Sequence, residues 1–347
     1  MKASPSGSDS SAPPAIEAAW RKPVERMFIA RDVRFRSGET LPELRLGYTV
    51  LGNPAGAAVL VLHGTGGTGR GMLSPEFGGQ LFGPGQPLDA ATHFVVLPDA
   101  IGHGRSSKPS DGLRTGFPRY GYEDMVDAQR RLVTEGLGLH RLRLVLGVSM
   151  GGMHAWLWGV RHPDFMDALI PLSSQPAPMS GRNWLMRRVM TDAIRNDPQW
   201  QDGHYTVQPP GARAAWEAFN VATNGGTLAL EKAAPDREAA DRWLAALRER
   251  TFDTDANDLL YQYEAARDYD PSPGLDRLRA PVLAVVSADD ERNPQETGSL
   301  QRAISRLPNA RLFVVPSSAH TCGHGTVRFA KWWAEEVATF LSTVPSD

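Results

Sequence analysis

The sequence predicts an α/β fold, a mostly parallel sheet covered by helices on both faces and interrupted by an inserted helical segment. Three observations support this. Short, continuously apolar runs alternate with stretches of helical spacing up to residue 173, the pattern of parallel strands buried on both faces. The rhythm resumes after residue 273, whereas residues 174–272 carry helical spacing and no buried strand run. The apolar run 142–146 enters the turn Gly147-Val-Ser-Met-Gly151 and leaves it as a helix towards Arg161, a strand–turn–helix junction.

Residues 1–14 are polar, rich in Ser and Pro, and lack the apolar stretch of a signal peptide. They predict a disordered segment over 1–20. Such a segment often follows a removed export signal, so an exported protein is favoured over a cytoplasmic one. Residues 27–50 alternate apolar and polar side chains around Ser37-Gly-Glu39 and predict a hairpin of two antiparallel edge strands. The run 58–62 predicts a buried strand ending in His63-Gly-Thr-Gly-Gly67, where glycines let backbone approach a ligand. The run 94–97 repeats that design and leads into Asp99-Ala-Ile-Gly-His-Gly-Arg-Ser-Ser107. A helix over 122–137 precedes the central junction, and a strand over 168–172 follows it. Helices over 183–196, 212–221 and 237–250, with Trp184, Trp200, Trp216 and Trp243, then form a cap over 174–272. The core comprises 21–173 and 273–347, its second part holding strands 281–286 and 311–315, each followed by a helix (295–305 and 326–341).

The chemistry centres on Ser149. A serine in this turn adopts a strained backbone, and Gly147 and Gly151 let neighbouring chain pass without a Cβ clash. The helix that begins there offers unpaired N–H groups and a positive dipole end, both favourable to an anion beside the serine. A serine hydroxyl still needs a base, a carboxylate to orient the base, and donors for an oxyanion. Two later loops supply candidates: Ser287-Ala-Asp-Asp-Glu-Arg-Asn-Pro294 and Pro316-Ser-Ser-Ala-His-Thr-Cys-Gly-His-Gly325. The acid is Asp289 or Asp290, and the base His320 or His324; glycines on both sides of His324 allow a tight approach to Ser149. The N–H groups of Met150 and Thr65 are the expected oxyanion donors. The loop His63–Gly67 lacks the Lys-Ser/Thr ending of a phosphate-binding loop.

These residues form the G-x-S-x-G nucleophile elbow, and the chain resembles the α/β-hydrolase superfamily. That resemblance implies an eight-stranded sheet, places the acid in a D-x-x-x-P pattern that Asp290 and Pro294 satisfy, and gives Asp99 and His103 structural roles in a D-x-x-G-x-G-x-S turn. Gly147-Val-Ser-Met-Gly-Gly-Met153, Asp192-Ala-Ile-Arg-Asn-Asp-Pro-Gln-Trp200, Asp255-Ala-Asn-Asp-Leu-Leu-Tyr261, Asp268-Tyr-Asp270 and Gly323-His-Gly-Thr326 further resemble the homoserine O-acetyltransferase (MetX-like) family. This likeness runs from about residue 27 to the C-terminus. It implies a Ser149–His324–Asp290 triad, a capped site, and a homodimer formed through the cap. The chain departs from that family at His63–Gly67, where an Ala-Leu-Thr-Gly type loop is usual, and at Gly323-His-Gly325, where Gly-His-Asp is usual; it resembles a divergent, hydrolase-type branch. Arg182 and Arg187 are the cap candidates for binding a substrate carboxylate, against a reading of both as surface charges.

Composition excludes other classes. A net charge of −2 gives no basic field for nucleic acid and no polybasic membrane patch. No apolar run approaches the roughly 20 residues of a spanning helix. The one cysteine, Cys322, excludes an intrachain disulfide and a cysteine-rich metal site, and the nine histidines lack metal-ligand spacing. The expected function is therefore cofactor-free and metal-free hydrolysis of a small or medium ester through an acyl-serine. The alternatives are O-acyl transfer from acetyl-CoA to an alcohol such as homoserine, and ligand binding without catalysis.

Overall fold

The computed structural model describes residues 22–345, and the disordered segment expected over 1–20 lies outside them. One sheet contains β1 Val24–Arg34, β2 Thr40–Gly52, β3 Ala57–Leu62, β4 His93–Pro98, β5 Leu144–Val148, β6 Leu169–Leu172, β7 Val282–Ser287 and β8 Ala310–Val315. Their order is β1-β2-β4-β3-β5-β6-β7-β8. β2 pairs antiparallel with β1 and β4, and every pairing from β4 to β8 is parallel. The expectation that both hairpin strands lie at the edge is corrected. Only β1 does; β2 is inserted between β1 and β4 because its second half, from Leu46 to Gly52, is largely buried and seeks partners on both sides.

Strand alternation divides the interior into two layers. Leu60, Leu62, Val145 and Ala284 face helices α1 (Tyr122–Arg131) and α2 (Met150–Arg161). Val59, Val61, Leu144 and Val285 face Trp333 and the C-terminal helix. A one-residue shift in any of these strands would exchange the two sets. α2 is buried from Met150 through Val160, which explains why its sequence is apolar on every side.

Between β6 and β7 lie helices and no strand: α3 Gly181–Arg195, α4 Pro210–Thr223, α5 Thr227–Ala233, α6 Arg237–Arg248 and α7 Ala256–Glu264. Met190, Ile194, Phe219, Leu259 and Tyr263 give this segment its own apolar cluster. Sequence periodicity missed α5 and α7. A signal for α7 was present: Asp255 caps it, accepting from the Asn257 and Asp258 amides.

The two helices expected after β7 and β8 are shorter than predicted. After β7 a 3₁₀ turn, Gln295–Thr297, is separated from α8 (Ser299–Ile304) by Gly298 at φ +64°. After β8 the chain makes 3₁₀ turns at Gly323–Arg328 and Ala330–Trp332 before α9, Ala334–Thr343. Trp333 breaks the helical run because its indole is buried against the sheet and donates to the Val327 carbonyl at 3.0 Å. The predicted helix over 122–137 likewise ends its regular α part at Arg131 and finishes in a wider turn, Leu132–Gly136.

Trp158 locks α2 to α1. It is fully buried, donates to Gln129 Oε1 at 3.0 Å, and contacts Phe165 with ring centroids 5.7 Å apart. Trp158→Ala is expected to lower unfolding free energy by about 3–5 kcal/mol, measured by denaturant titration; a loss under about 1 kcal/mol would show that the helix packs independently of this side chain.

Candidate active site

The strand order reverses direction at β3: the chain passes from β3 outward to β4 and returns to place β5 on β3's other side. Open parallel sheets bind ligands at the carboxyl ends of strands beside such a reversal. Here those ends carry His63-Gly-Thr, after β3, and Ser149, after β5.

Ser149 sits between β5 and α2 at φ +54° and ψ −108°. A non-glycine residue there costs of order 1–3 kcal/mol and persists only when its surroundings fix it. They do so by hydrogen bonds and by close packing. The Ser149 amide donates to Leu172 of β6 at 2.8 Å, and the Gly151 amide donates to the His63 carbonyl at 3.1 Å. A Cβ on Gly147 would strike the Gly151 carbonyl, one on Gly151 would strike the Leu62 carbonyl, and one on Gly152 would lie 2.7 Å from the Leu172 carbonyl. The turn closes only because these positions lack side chains.

The loops after β7 and β8 bring Asp290 and His324 to this serine. His324 Nε2 lies 2.8 Å from Ser149 Oγ, while His324 Nδ1 lies 3.0 and 3.1 Å from the two Asp290 oxygens. Both candidate pairs resolve geometrically. Asp289 turns away, accepting from Ser287 Oγ and, at 2.8 Å, from Thr321 Oγ1; His320 is exposed. Burial alone would raise the Asp290 pKa, but the facing imidazole and the Asn293 hydrogen bonds outweigh it and hold the carboxyl at about 2. Burial lowers the His324 pKa below its ordinary value, the Arg292 charge adding to this and Asp290 only partly opposing it. At neutral pH the pair is thus carboxylate and neutral imidazole, with the Nδ1 proton on the Asp290 side and the Nε2 lone pair towards Ser149. Such a relay can accept the serine proton.

Two amides stand ready for an anion. Met150 opens α2 and has no acceptor within its helix. Neither its N–H nor that of Thr65 donates to a backbone acceptor among the described residues. The Thr65 loop is held by a buried histidine. His63 Nδ1 donates to the Gly64 carbonyl at 2.8 Å, and Nε2 accepts from the Ala100 amide at 3.0 Å. This pair of bonds requires the neutral tautomer, in accord with the downward shift that burial imposes. Asp99 receives the Gly69 and Arg105 amides at 2.7 and 2.9 Å, the structural role expected for it.

The two cap arginines differ. Arg182 is exposed in the first turn of α3 and does not line the cavity above Ser149, so the structure does not bring it to the site. Arg187 is 2% exposed, with Nη2 3.4 Å from Thr65 Oγ1 and Nη1 3.3 Å from the Tyr263 carbonyl. The cavity itself measures about 860 Å³ and is walled by Gly64, Thr65, Ser149 and His324 below and by Trp216, Trp243 and Tyr263 above.

Sequence reasoning missed the polar residues that brace the relay. Asn293 donates from Nδ2 to Asp290 at 3.1 Å and to the Ser173 carbonyl at 3.0 Å. Glu291 accepts the His324 amide at 2.9 Å and the Gly226 amide at 2.6 Å, which ties the imidazole loop to the helical segment. Arg292 bonds Thr223 and Asn224 at the end of α4. The available signal was the density of polar side chains in Asp289-Asp-Glu-Arg-Asn293, more than one solvated loop requires.

No group of three or more His, Cys, Asp or Glu residues suited to holding a metal occurs among the described residues. No helix among them is long and apolar enough to cross a membrane.

Known proteins bear on this geometry. The profile of the alpha/beta hydrolase fold family matches residues 57–322. The homoserine O-acetyltransferase of Solidesulfovibrio magneticus is 31% identical over 294 residues, covering 79% of this chain and 72% of that protein. That of Haloarcula marismortui is 30% identical over 260 residues, covering 69% of this chain, which spans only 63% of that relative's length. The crystal structure of an acetylester hydrolase from Corynebacterium glutamicum superposes with a TM-score of 0.79 at 19% identity, covering 92% of this chain and 96% of that one. The chain belongs to the alpha/beta hydrolase fold family, in its homoserine O-acetyltransferase-like (MetX-like) branch.

Proposed function

We propose that the chain is a serine esterase acting on a small or medium ester. The observation that carries this reading is the continuous relay from Ser149 Oγ through His324 to Asp290, at 2.8 and 3.0 Å. His324 Nε2 removes the Ser149 proton as Oγ attacks the ester carbonyl. The Met150 and Thr65 amides receive the oxyanion, each donor contributing roughly 3 kcal/mol to the transition state. Collapse expels the alcohol, which takes the proton from His324 and leaves an acyl-serine. Water, deprotonated by the same nitrogen, then adds to the acyl carbon, and the acid departs as Ser149 is reprotonated. Asp290 keeps the imidazole oriented and stabilises its transient charge. No cofactor or metal enters these steps.

A second reading has its own support, since the relatives of 30–31% identity are named homoserine O-acetyltransferases. There the same acyl-serine, charged by acetyl-CoA, passes to an alcohol instead of water. The hydrolase reading is preferred because the His63–Gly67 and Gly323–Gly325 loops depart from the acetyltransferase pattern. The homodimer expected through the cap remains part of the proposal, supported by exposed Leu185 and Val189, one turn apart on α3.

Incubation with 4-nitrophenyl acetate or acetyl-CoA, with and without homoserine, decides between these readings. Acid release independent of homoserine is expected; O-acetylhomoserine formed faster than acid would select the acyltransferase. Ser149→Ala should lose turnover by several orders of magnitude, whereas a pure binding protein would keep its ligand affinity.

His324→Ala and Asp290→Asn should each lower kcat by roughly 10³–10⁴ while His320→Ala leaves it near wild type; full activity in His324→Ala would refute the relay. Only neutral His324 can accept the proton, and burial lowers its pKa from the ordinary imidazole value, so kcat/KM should rise with pH along an acid limb centred below that of a free imidazole. An acid limb centred above pH 7 would contradict this assignment.

A further inference from the structure

The apolar face of α6 is spent on neither the core nor the cap's own apolar cluster. Ala239, Trp243 and Leu247 follow one another at intervals of four on this helix, while Arg237, Glu238, Asp241, Arg242 and Arg248 are exposed around them. None of the three belongs to the clusters that pack the two sides of the sheet and the cap. Trp243 is half-buried, and among the described residues its indole forms no hydrogen bond and meets no other ring. Trp243 and Leu247 instead line the cavity that holds Ser149 and His324. Trp216 and Phe252, with ring centroids 5.3 Å apart, continue the same wall.

The polar side chains beside this wall are engaged with one another. Asn220 Nδ2 donates to the Trp216 carbonyl and Asn224 Nδ2 to Asn220 Oδ1, both at 2.8 Å. Arg292 donates from Nη2 to Asn224 Oδ1 at 3.1 Å and from Nε to Thr223 at 3.2 Å. The other charged residues of the wall, Glu76, Arg250, Asp253 and Arg328, are exposed and balance in sign. Above Ser149 and His324 the cavity therefore offers a substrate aromatic and aliphatic surface. Its volume of about 860 Å³ lies within the roughly 300–1,000 Å³ of sites for drug-sized ligands, well beyond what an acetyl group fills. Two indoles and a leucine facing an aqueous cavity keep apolar surface hydrated, and an apolar group that enters releases that water.

We propose that Trp243 and Leu247 of α6, with Trp216 and Phe252, receive a bulky apolar group of the substrate, so that the preferred esters carry such a group on the acid or on the alcohol. This rests on the reading of Ser149 as the nucleophile and adds the class of molecule that reaches it. A phenyl ring is the suitable probe, because offset or edge-to-face ring pairs attract beyond the area they bury. The group belongs to the acyl chain or to the alcohol, and paired substrates separate the two sources.

The test compares kcat/KM for methyl 3-phenylpropanoate with methyl propanoate, and for 2-phenylethyl acetate with ethyl acetate, in wild type, Trp243→Ala and Trp243→Phe, by following acid release. Wild type is expected to favour the phenyl-bearing member of one pair by about tenfold or more, which identifies the side of the ester that faces α6. That preference should fall towards one in Trp243→Ala and be largely kept in Trp243→Phe, which retains a ring. A displaced helix lowers both members of a pair together, so the ratio within a pair is the readout. A ratio that Trp243→Ala leaves intact would overturn the proposal, as would a wild-type ratio below about threefold in both pairs. If wild type turns over none of the four, calorimetric titration with 2-phenylethanol decides the apolar site: binding that is lost in Trp243→Ala would sustain it, and binding that is absent or unchanged in the variant would remove it. Failure of Ser149 to react with a fluorophosphonate in that case refutes the esterase reading and leaves the binding result standing.

Discussion

The backbone strain at Ser149 is the constraint on which the remaining structure depends. The strained backbone at Ser149 persists because its surroundings fix it, and here the flanking elements are β5, at the centre of the sheet, and α2, buried along nearly its whole length. The approach of α2 to β3 is so close that Gly151 has no room for a Cβ beside the Leu62 carbonyl. The same approach lets the Gly151 amide hold the His63 carbonyl, so the loop that presents Thr65 is anchored to the turn that presents Ser149. The proposed nucleophile and the proposed anion donors therefore share one rigid junction, and little reorganisation would be needed as charge develops.

The loop after β7 extends this rigidity to the imidazole. Consecutive residues divide the work: Asp289 fixes the loop that carries His324, Asp290 orients its ring, Glu291 holds its amide, and Asn293 secures Asp290 to the end of β6. Glu291 and Arg292 also bond the chain between α4 and α5. The helical segment that walls the cavity and the imidazole beside the serine thus rest on one short stretch of chain. A buried network of this kind is stable because each member is satisfied.

The histidines illustrate how burial decides chemical role. His63, His103 and His154 are almost wholly enclosed, and desolvation holds each of them neutral. His63 uses its neutrality to brace a loop, whereas His324 uses the same property with Nε2 directed at a hydroxyl. What separates the two is their hydrogen-bond partners: His63 Nδ1 and Nε2 meet the Gly64 carbonyl and the Ala100 amide, whereas His324 meets the Asp290 carboxylate and the Ser149 hydroxyl.

The sequence by itself determined the architecture and singled out the serine proposed as nucleophile. Apolar runs of strand length and the glycines around Ser149 are local signals, because strand burial and the strained turn constrain residue type at those positions directly. Local pattern also located the two loops that carry Asp290 and His324. It could not separate Asp289 from Asp290 by residue type, since neighbouring aspartates differ only in direction, and direction is set by the course of the chain after β7. The insertion of β2 beside β4, the breaks at Gly298 and Trp333, and the burial of Arg187 against the exposure of Arg182 were equally decided by packing between distant segments. Arg292 shows the limit most plainly: in sequence it is one charge in a polar loop, and only the fold places it against Phe219 and on the wall of the cavity. The surroundings of a side chain are a property of three-dimensional neighbours, and for that reason they were invisible until the chain was folded.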